Sequence, residues 1–302
     1  MSEKQGNGVC MFAYNNEQLD YVKFATIAAN YVKRHMKNNQ TALITNNGSY
    51  DWMQQSLGDE AIDKAFDYIV IKEPEAVQNM RRHMDSPWTE FNAQFSNSNK
   101  HKIFDYTPFE RTLLIDTDFL VMNNFYDYIF DTDVEISMHR YAEYLGGEPP
   151  YTNEITLNPG GINHWWSTVV YFDRSPTSKL FFDIWAHVRD NWEYYSLLYQ
   201  YNKSLFRTDY CVSIAAHMFN GFNNDDFVHD FLGLPLLTMD QKDDITKFNN
   251  IDDVVFLKHN RSEPWKNTLV RHTQDNLHIM NKRALDRQIN FLFEEFEGAT
   301  SV

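Results

Sequence analysis

The chain has 302 residues, of which 42 are acidic and 27 basic, a net charge of −15, with 43% hydrophobic and 16% aromatic residues. That apolar share fills one large domain or two small ones and excludes a disordered chain, while the negative balance opposes broad binding to a phosphate backbone. The apolar run near the start, residues 9–14, is far shorter than the roughly 20 residues of a membrane span. Residues 1–8 are polar and lack the apolar stretch of a secretory leader, so a floppy tail and a cytoplasmic location (host cytoplasm for a viral protein) are expected. Cys10 and Cys211 form neither a disulfide framework nor a metal-ligand spacing and read as reduced core thiols. The small basic clusters Arg81-Arg82-His83, Lys100-His101-Lys102 and Lys282-Arg283 read as solvated faces.

In chain order, residues 9–13 form an apolar strand that ends in Tyr14-Asn15-Asn16. Leu19, Val22, Ala25, Ala29, Val32 and Met36 then recur at steps of three and four, which predicts an amphipathic helix. A second strand is expected at 41–45, a helix at 59–66, a third strand at 67–71 and a fourth at 112–115. This alternation predicts a parallel sheet with helices on its faces, an α/β fold of the doubly wound kind. Strands at 134–138 and 168–172 follow, separated by turn residues such as Gly146-Gly147, Pro149-Pro150 and Asn158-Pro159-Gly160-Gly161, the composition of a functional loop. Helices at 179–198 and 209–219, a late strand at 254–257 and a closing helix at 280–296 complete the chain, with no repeat and no clear linker.

The most informative stretch is the apolar strand that ends in Asp116-Thr117-Asp118. Open parallel sheets bind ligands at the carboxyl ends of their strands, and in the turn leaving a strand two carboxylates can converge on one hard cation. The chain supplies its own control: Asp131-Thr132-Asp133 is the same tripeptide placed before a strand, at the opposite edge, where capping and turn formation are expected.

At this point the chain resembles the nucleotide-sugar transferases of the GT-A fold, in particular the glycogenin-like and lipopolysaccharide-galactosyltransferase group. The opening strand through Tyr14 and Asn15 resembles the segment that holds base and ribose there. Lys102 sits where that family has a lysine ahead of its metal strand, and Asp116-Thr117-Asp118 resembles its metal motif. Gly161-Ile162-Asn163 with residues 168–173 is similar to the acceptor-side strand, and Arg207-Thr208-Asp209-Tyr210 to the helix start that lines the sugar site. His259 followed by Pro264-Trp265 is similar to a closing motif with a metal-binding His, although the spacing is two residues shorter and Glu263 stands where the family has a phosphate-binding Lys. Lys258, Arg261 or Lys266 is then the candidate for the missing charge.

The resemblance implies a Rossmann-like, mostly parallel sheet flanked by helices, in one GT-A catalytic domain over 9–302, with a donor-binding half at 9–133 and an acceptor-side half with its extension at 134–302. It implies Asp116, Asp118 and His259 as ligands of Mn²⁺ or Mg²⁺, Tyr14, Asn15, Lys102 and Thr117 around a nucleoside-diphosphate sugar, and Asp209 as the catalytic carboxylate. The expected reaction moves a hexosyl or pentosyl group to a hydroxyl acceptor with retention. The acceptor classes left open are a saccharide, a protein and a hydroxymethylated base in phage DNA. Trp165-Trp166 could face an acceptor ring or be buried. The alternative is a haloacid-dehalogenase-like, Mg²⁺-dependent phosphohydrolase, in which Asp116 would be the nucleophile and Asp225-Asp226 or Asp252-Asp253 would complete the metal site. A non-catalytic sugar-nucleotide binding module is the third reading.

Overall fold

The computed structural model describes residues 6–38, 40–74, 80–86, 89–94, 99–146, 161–200, 206–223, 227–239, 244–260 and 262–298. Strand β1 (Asn7–Phe12) starts two residues earlier than expected, so Asn7 and Gly8 belong to the sheet and not to a tail. Helix α1 (Tyr21–His35) begins where the Asp20 carboxylate accepts from the Lys23 amide, and ends in Lys33, Arg34 and His35, which suit the negative end of its dipole. Strand β2 (Thr41–Thr45), helices α2 (Asn47–Leu57) and α3 (Asp59–Ala65) and strand β3 (Tyr68–Ile71) follow. A separate hairpin, β4 (Met80–Ser86) with β5 (Thr89–Gln94), stands outside the main sheet. A 3₁₀ turn (Lys100–Lys102) and the short α4 (Ile103–Tyr106) lead into β6 (Arg111–Ile115).

Beyond β6 lie β7 (Phe119–Leu120), β8 (Ile136–His139), β9 (Ala142–Tyr144) and β10 (Trp166–Asp173). The helix expected over 179–198 is two, α5 (Pro176–Asp190) and α6 (Trp192–Leu198). Asn191 divides them: its backbone leaves the helical conformation (φ −111°, ψ 33°), and its side-chain amide joins its backbone amide on the His187 carbonyl, at 2.8 and 3.1 Å. Helix α7 (Thr208–Phe219) precedes β11 (His229–Asp230), β12 (Leu236–Met239), β13 (Ile245–Asn250), β14 (Asp253–Lys258), β15 (Thr268–Thr273) and β16 (Leu277–Ile279). The expected closing helix also divides, into α8 (Lys282–Asp286) and α9 (Ile289–Gly298). Among the described residues no helix is long and apolar enough to cross a membrane.

The central sheet has the order β11-β8-β10-β6-β1-β2-β3. Every pairing in it is parallel except the two made by β10, which runs against both β6 and β8. This is the mostly parallel α/β sheet flanked by helices that the sequence predicts. Alternate residues of its strands enter opposite cores. Cys10, Phe12, Leu114, Val170 and Phe172 pack with Phe181, Phe182 and Trp185 of α5 and with α7. Val9, Met11, Leu113, Ile115 and Tyr171 pack with Val22, Ala25, Ala29 and Val32 of α1. Coverage of both faces explains why β1 and β6 read as unbroken apolar runs. A third core joins Phe24, Ile27 and Tyr31 of α1 to Phe256 of β14 and to Leu292 and Phe296 of α9. A smaller sheet, β7-β16-β12-β9, continues from the carboxyl edge of the large one, and β13-β14-β15 forms an antiparallel meander.

Two features make testable demands on this core. A Cβ built on Gly8 in β1 would lie 2.4 Å from the ring of Phe109, a residue with no exposed surface. Gly8→Ala is therefore expected to lower the unfolding free energy by about 1–3 kcal/mol, and an unchanged denaturant midpoint would show that the ring yields freely. In β8, His139 is held neutral: its Nδ1 donates to the Leu234 carbonyl at 2.9 Å, and its Nε2 accepts from the Tyr126 hydroxyl at 2.8 Å. Burial pushes the imidazole down to about 4, against a smaller upward effect of the Leu234 carbonyl. Its contribution to stability is complete above the ordinary value of 6.5 and is lost as the pH falls through about 4. The unfolding free energy should gain about 3 kcal/mol from this residue between pH 4 and pH 7, a share of the slope that His139→Gln removes.

Candidate active site

Strand β6 ends at Ile115, and the next residue adds one more rung to the ladder with β10: the Asp116 amide donates to the Thr168 carbonyl at 3.0 Å. The Phe119 amide then donates back to the Asp116 carbonyl at 3.1 Å, so Asp116-Thr117-Asp118 is the turn into β7 at the carboxyl edge of the sheet. Thr117 is buried within it. Strand β16 lies antiparallel to β7 with His278 opposite Phe119, and the Ile279 amide donates to the Asp118 carbonyl at 2.9 Å. One ligand atom each from Asp116, Asp118 and His278 lies within 4.8 Å of the other two. Two carboxylate oxygens and one imidazole nitrogen are a donor set that fits Mn²⁺ or Mg²⁺.

Each carboxylate already has an ammonium group. Lys100 Nζ is 2.5 Å from Asp116 Oδ1 and donates to the Ser167 carbonyl at 3.0 Å. Lys282 Nζ is 2.5 Å from Asp118 Oδ2, and His278 Nε2 is 3.5 Å from Asp118 Oδ1. Lys282 opens α8, where the side-chain oxygen of Asn281 accepts from the amides of Arg283 and Ala284, both at 3.1 Å, and fixes the start of the helix. Burial alone would raise the Asp118 carboxyl, but Lys282 and His278 outweigh it and hold the group well below the usual carboxylate range.

Asp209 occupies the first turn of α7, and its Oδ1 accepts from both the Ser167 amide (3.0 Å) and the Ser167 hydroxyl (2.7 Å). Burial pushes this carboxyl up, yet Arg207, His164, Ser167 and Lys100 together bring it down to about 2. The chain Asp116–Lys100–Ser167–Asp209 thus links the turn after β6 to the start of α7. His164 lies against Trp166 (ring centroids 4.8 Å apart) and Tyr210 (5.7 Å), and the Arg207 guanidinium lies 5.2 Å from the Tyr210 ring.

The structure places Asp116, Thr117 and Asp118 in one turn and links Asp209 to them through Lys100 and Ser167, with partners other than those expected. The lysine on Asp116 is Lys100. In a 3₁₀ turn each residue advances about 120°, so Lys100 and Lys102 cannot point the same way, and a count of residues back from the Asp pair does not choose between them. His259, expected as the third ligand, is paired with Asp244 at 2.6 Å, and the third member of the cluster is His278. His278 lies in a three-residue strand between the late strand and the closing helix; its signal in the sequence is a His between two apolar residues just ahead of an Asn N-cap. The basic clusters at 100–102 and 282–283 are likewise not plain solvated faces, since Lys100 and His101 are buried and Lys282 meets Asp118.

Asn15 uses its side chain locally: it donates to Asp20 Oδ1 at 3.0 Å and accepts from the Val22 amide at 3.0 Å. Tyr14 is half-buried, and burial with its neighbours Tyr106 and Glu73 raises its hydroxyl above the ordinary tyrosine value. Trp165 and Trp166 are both buried. Of the candidate phosphate-binding residues, Lys266 is paired with Glu263 at 2.5 Å, and Arg261 lies outside the described residues. Asp209→Asn is expected to lower the unfolding free energy by about 2 kcal/mol at pH 7. The deficit should shrink as the pH falls from about 4 towards 2, because the depressed carboxyl stabilises the fold only while ionised. A variant as stable as the parent at pH 7 would show that the surrounding cations do not favour the charge.

No protein-family model matches the chain, and no curated protein does. Among solved structures, it is similar to the apo-form glycosyltransferase GlyE of Streptococcus pneumoniae TIGR4 (13% identity, TM-score 0.40), with 74% of this chain and 44% of that one covered. It is also similar to the galactosyltransferase LgtC in complex with donor and acceptor sugar analogs (11%, TM-score 0.43; 69% and 70% covered). A third likeness is to mouse xyloside xylosyltransferase 1 (12%, TM-score 0.42; 70% and 82% covered). The chain spans less than half the length of GlyE.

Proposed function

We propose that this chain is a metal-dependent glycosyltransferase that moves a sugar from a nucleoside-diphosphate sugar to a hydroxyl acceptor with retention of configuration. The carrying observation is the cluster of Asp116 and Asp118, in the turn at the carboxyl edge of the sheet, with His278 of β16, flanked by two lysines. Asp116, Asp118 and His278 would hold Mn²⁺ or Mg²⁺, which when bound stabilises the charge that collects on a departing diphosphate.

The remaining roles fall to side chains whose positions are described above. Lys100 and Lys282 are the cations nearest the cluster and supply positive charge to phosphate oxygens, in the role that Lys258, Arg261 or Lys266 is expected to fill from sequence. The Asp209 carboxylate, ionised at neutral pH, would favour electrostatically the positive charge that an anomeric carbon gains. Ser167 orients it through two hydrogen bonds to one oxygen. Tyr14 and the backbone of Asn15, where the chain leaves β1, border the base and ribose. On this reading residues 9–133 form the donor-binding half and 134–302 the acceptor-side half of one catalytic domain. The acceptor is a saccharide or protein hydroxyl.

The phosphohydrolase alternative gains no support. Asp252 and Asp253 are engaged elsewhere, with His35 (2.9 Å) and Arg271 (2.7 Å) respectively, and Asp225-Asp226 lies outside the described residues.

The test is release of nucleoside diphosphate from a panel of nucleotide sugars in the presence of Mn²⁺. Asp116→Asn and Asp118→Asn should each reduce turnover by about a hundredfold or more, roughly 3 kcal/mol of transition-state stabilisation. Asp209→Asn should lower kcat with little change in bound Mn²⁺. Turnover of no donor sugar, or equal turnover with and without a divalent ion, would overturn the proposal.

A further inference from the structure

Neither acid of the turn offers an unoccupied carboxylate. Lys100 sits 2.5 Å from Asp116 and Lys282 2.5 Å from Asp118, so the two negative charges meet two positive ones at contact distance. A divalent cation that approaches this arrangement gains little net attraction and must displace ammonium groups that repel it at a few ångströms. A diphosphate reverses the balance, since its oxygens are strong acceptors for the compact ammonium of a lysine.

We propose that Lys100 and Lys282 are exchange partners. Each rests on its carboxylate while the site is empty of ligand and passes to a phosphate oxygen when diphosphate arrives. The cation and the diphosphate therefore load as one unit, and neither binds tightly alone. This inference rests on the reading of the site as one for a metal-bound diphosphate.

The two lysines differ in freedom. The Lys100 side chain is 5% exposed and is also tied to the Ser167 carbonyl, whereas that of Lys282 is 19% exposed and stands at the start of a short helix whose backbone is pinned by Asn281. Lys282 can swing on its flexible stem without backbone movement. It is the principal barrier to the cation.

The experiment measures Mn²⁺ bound to the full chain by equilibrium dialysis and by electron paramagnetic resonance, at matched free Mn²⁺, with and without inorganic pyrophosphate. In the parent, pyrophosphate should lower the half-saturating Mn²⁺ concentration about tenfold or more. Lys282→Met should bind Mn²⁺ alone about tenfold or more tightly than the parent, with little further gain from pyrophosphate. Lys282→Arg, which keeps the charge, should resemble the parent. Should Lys282→Met fail to fold, Lys100→Met replaces it, with the same direction and a smaller effect. Equal Mn²⁺ binding by the parent with and without pyrophosphate, or no gain in the Met variants, would overturn the exchange while leaving the metal site in place. Absence of Mn²⁺ binding in every chain under both conditions would instead remove the metal reading itself, and the exchange with it.

Discussion

Asp116, Asp118 and Asp209 can share one edge of a sheet because each is answered by cations from other parts of the chain. Lys100 reaches Asp116 from a 3₁₀ turn, Lys282 reaches Asp118 from the start of α8, and Arg207, His164 and Lys100 surround Asp209. Burial alone would raise the carboxyls of Asp118 and Asp209, and the cations around them hold both below the usual carboxylate range. The fold's contribution is to bring Lys100 and Lys282 to the turn after β6 and Arg207 to the start of α7.

The architecture was largely legible in the sequence because it rests on local pattern. Apolar runs at β1, β2, β6 and β10 mark strands buried on both faces, and steps of three and four mark α1 and α5. The Asp-x-Asp turn could be placed because its strand is apolar up to Ile115. Its twin at 131–133 falls at the end of a 3₁₀ helix (Phe125–Asp131), where the Thr132 hydroxyl donates to the Ile129 carbonyl at 2.8 Å, the turn-forming role expected of it.

What escaped the sequence is set by tertiary contact. Nothing local distinguishes Lys100 from Lys102; the choice is made by which of the two faces the Ser167 carbonyl and Asp116. His278 was hidden because β16 is three residues long and is defined by its pairing to β7 and β12, partners far away in the chain. His259 looked equally suitable beside Pro264-Trp265, but Asp244 lies closer to it, and Trp265 is 78% exposed. Helix α8 also starts two residues later than the expected 280, which puts Asn281 at its N-cap and Lys282 at its first position, next to Asp118.

The reversed direction of β10 sets the plan of the ligand edge. In a sheet whose strands otherwise all run one way, this strand delivers its beginning, not its end, to that edge, so Trp166, Ser167 and Thr168 stand beside the finish of β6. Chain that enters β10 from Gly161 onwards therefore reaches the Asp116 turn from upstream, whereas β1 and β6 run up to that edge and leave it downstream. The hydrogen-bond register that aims Asp116 is set within β6 and β10 themselves.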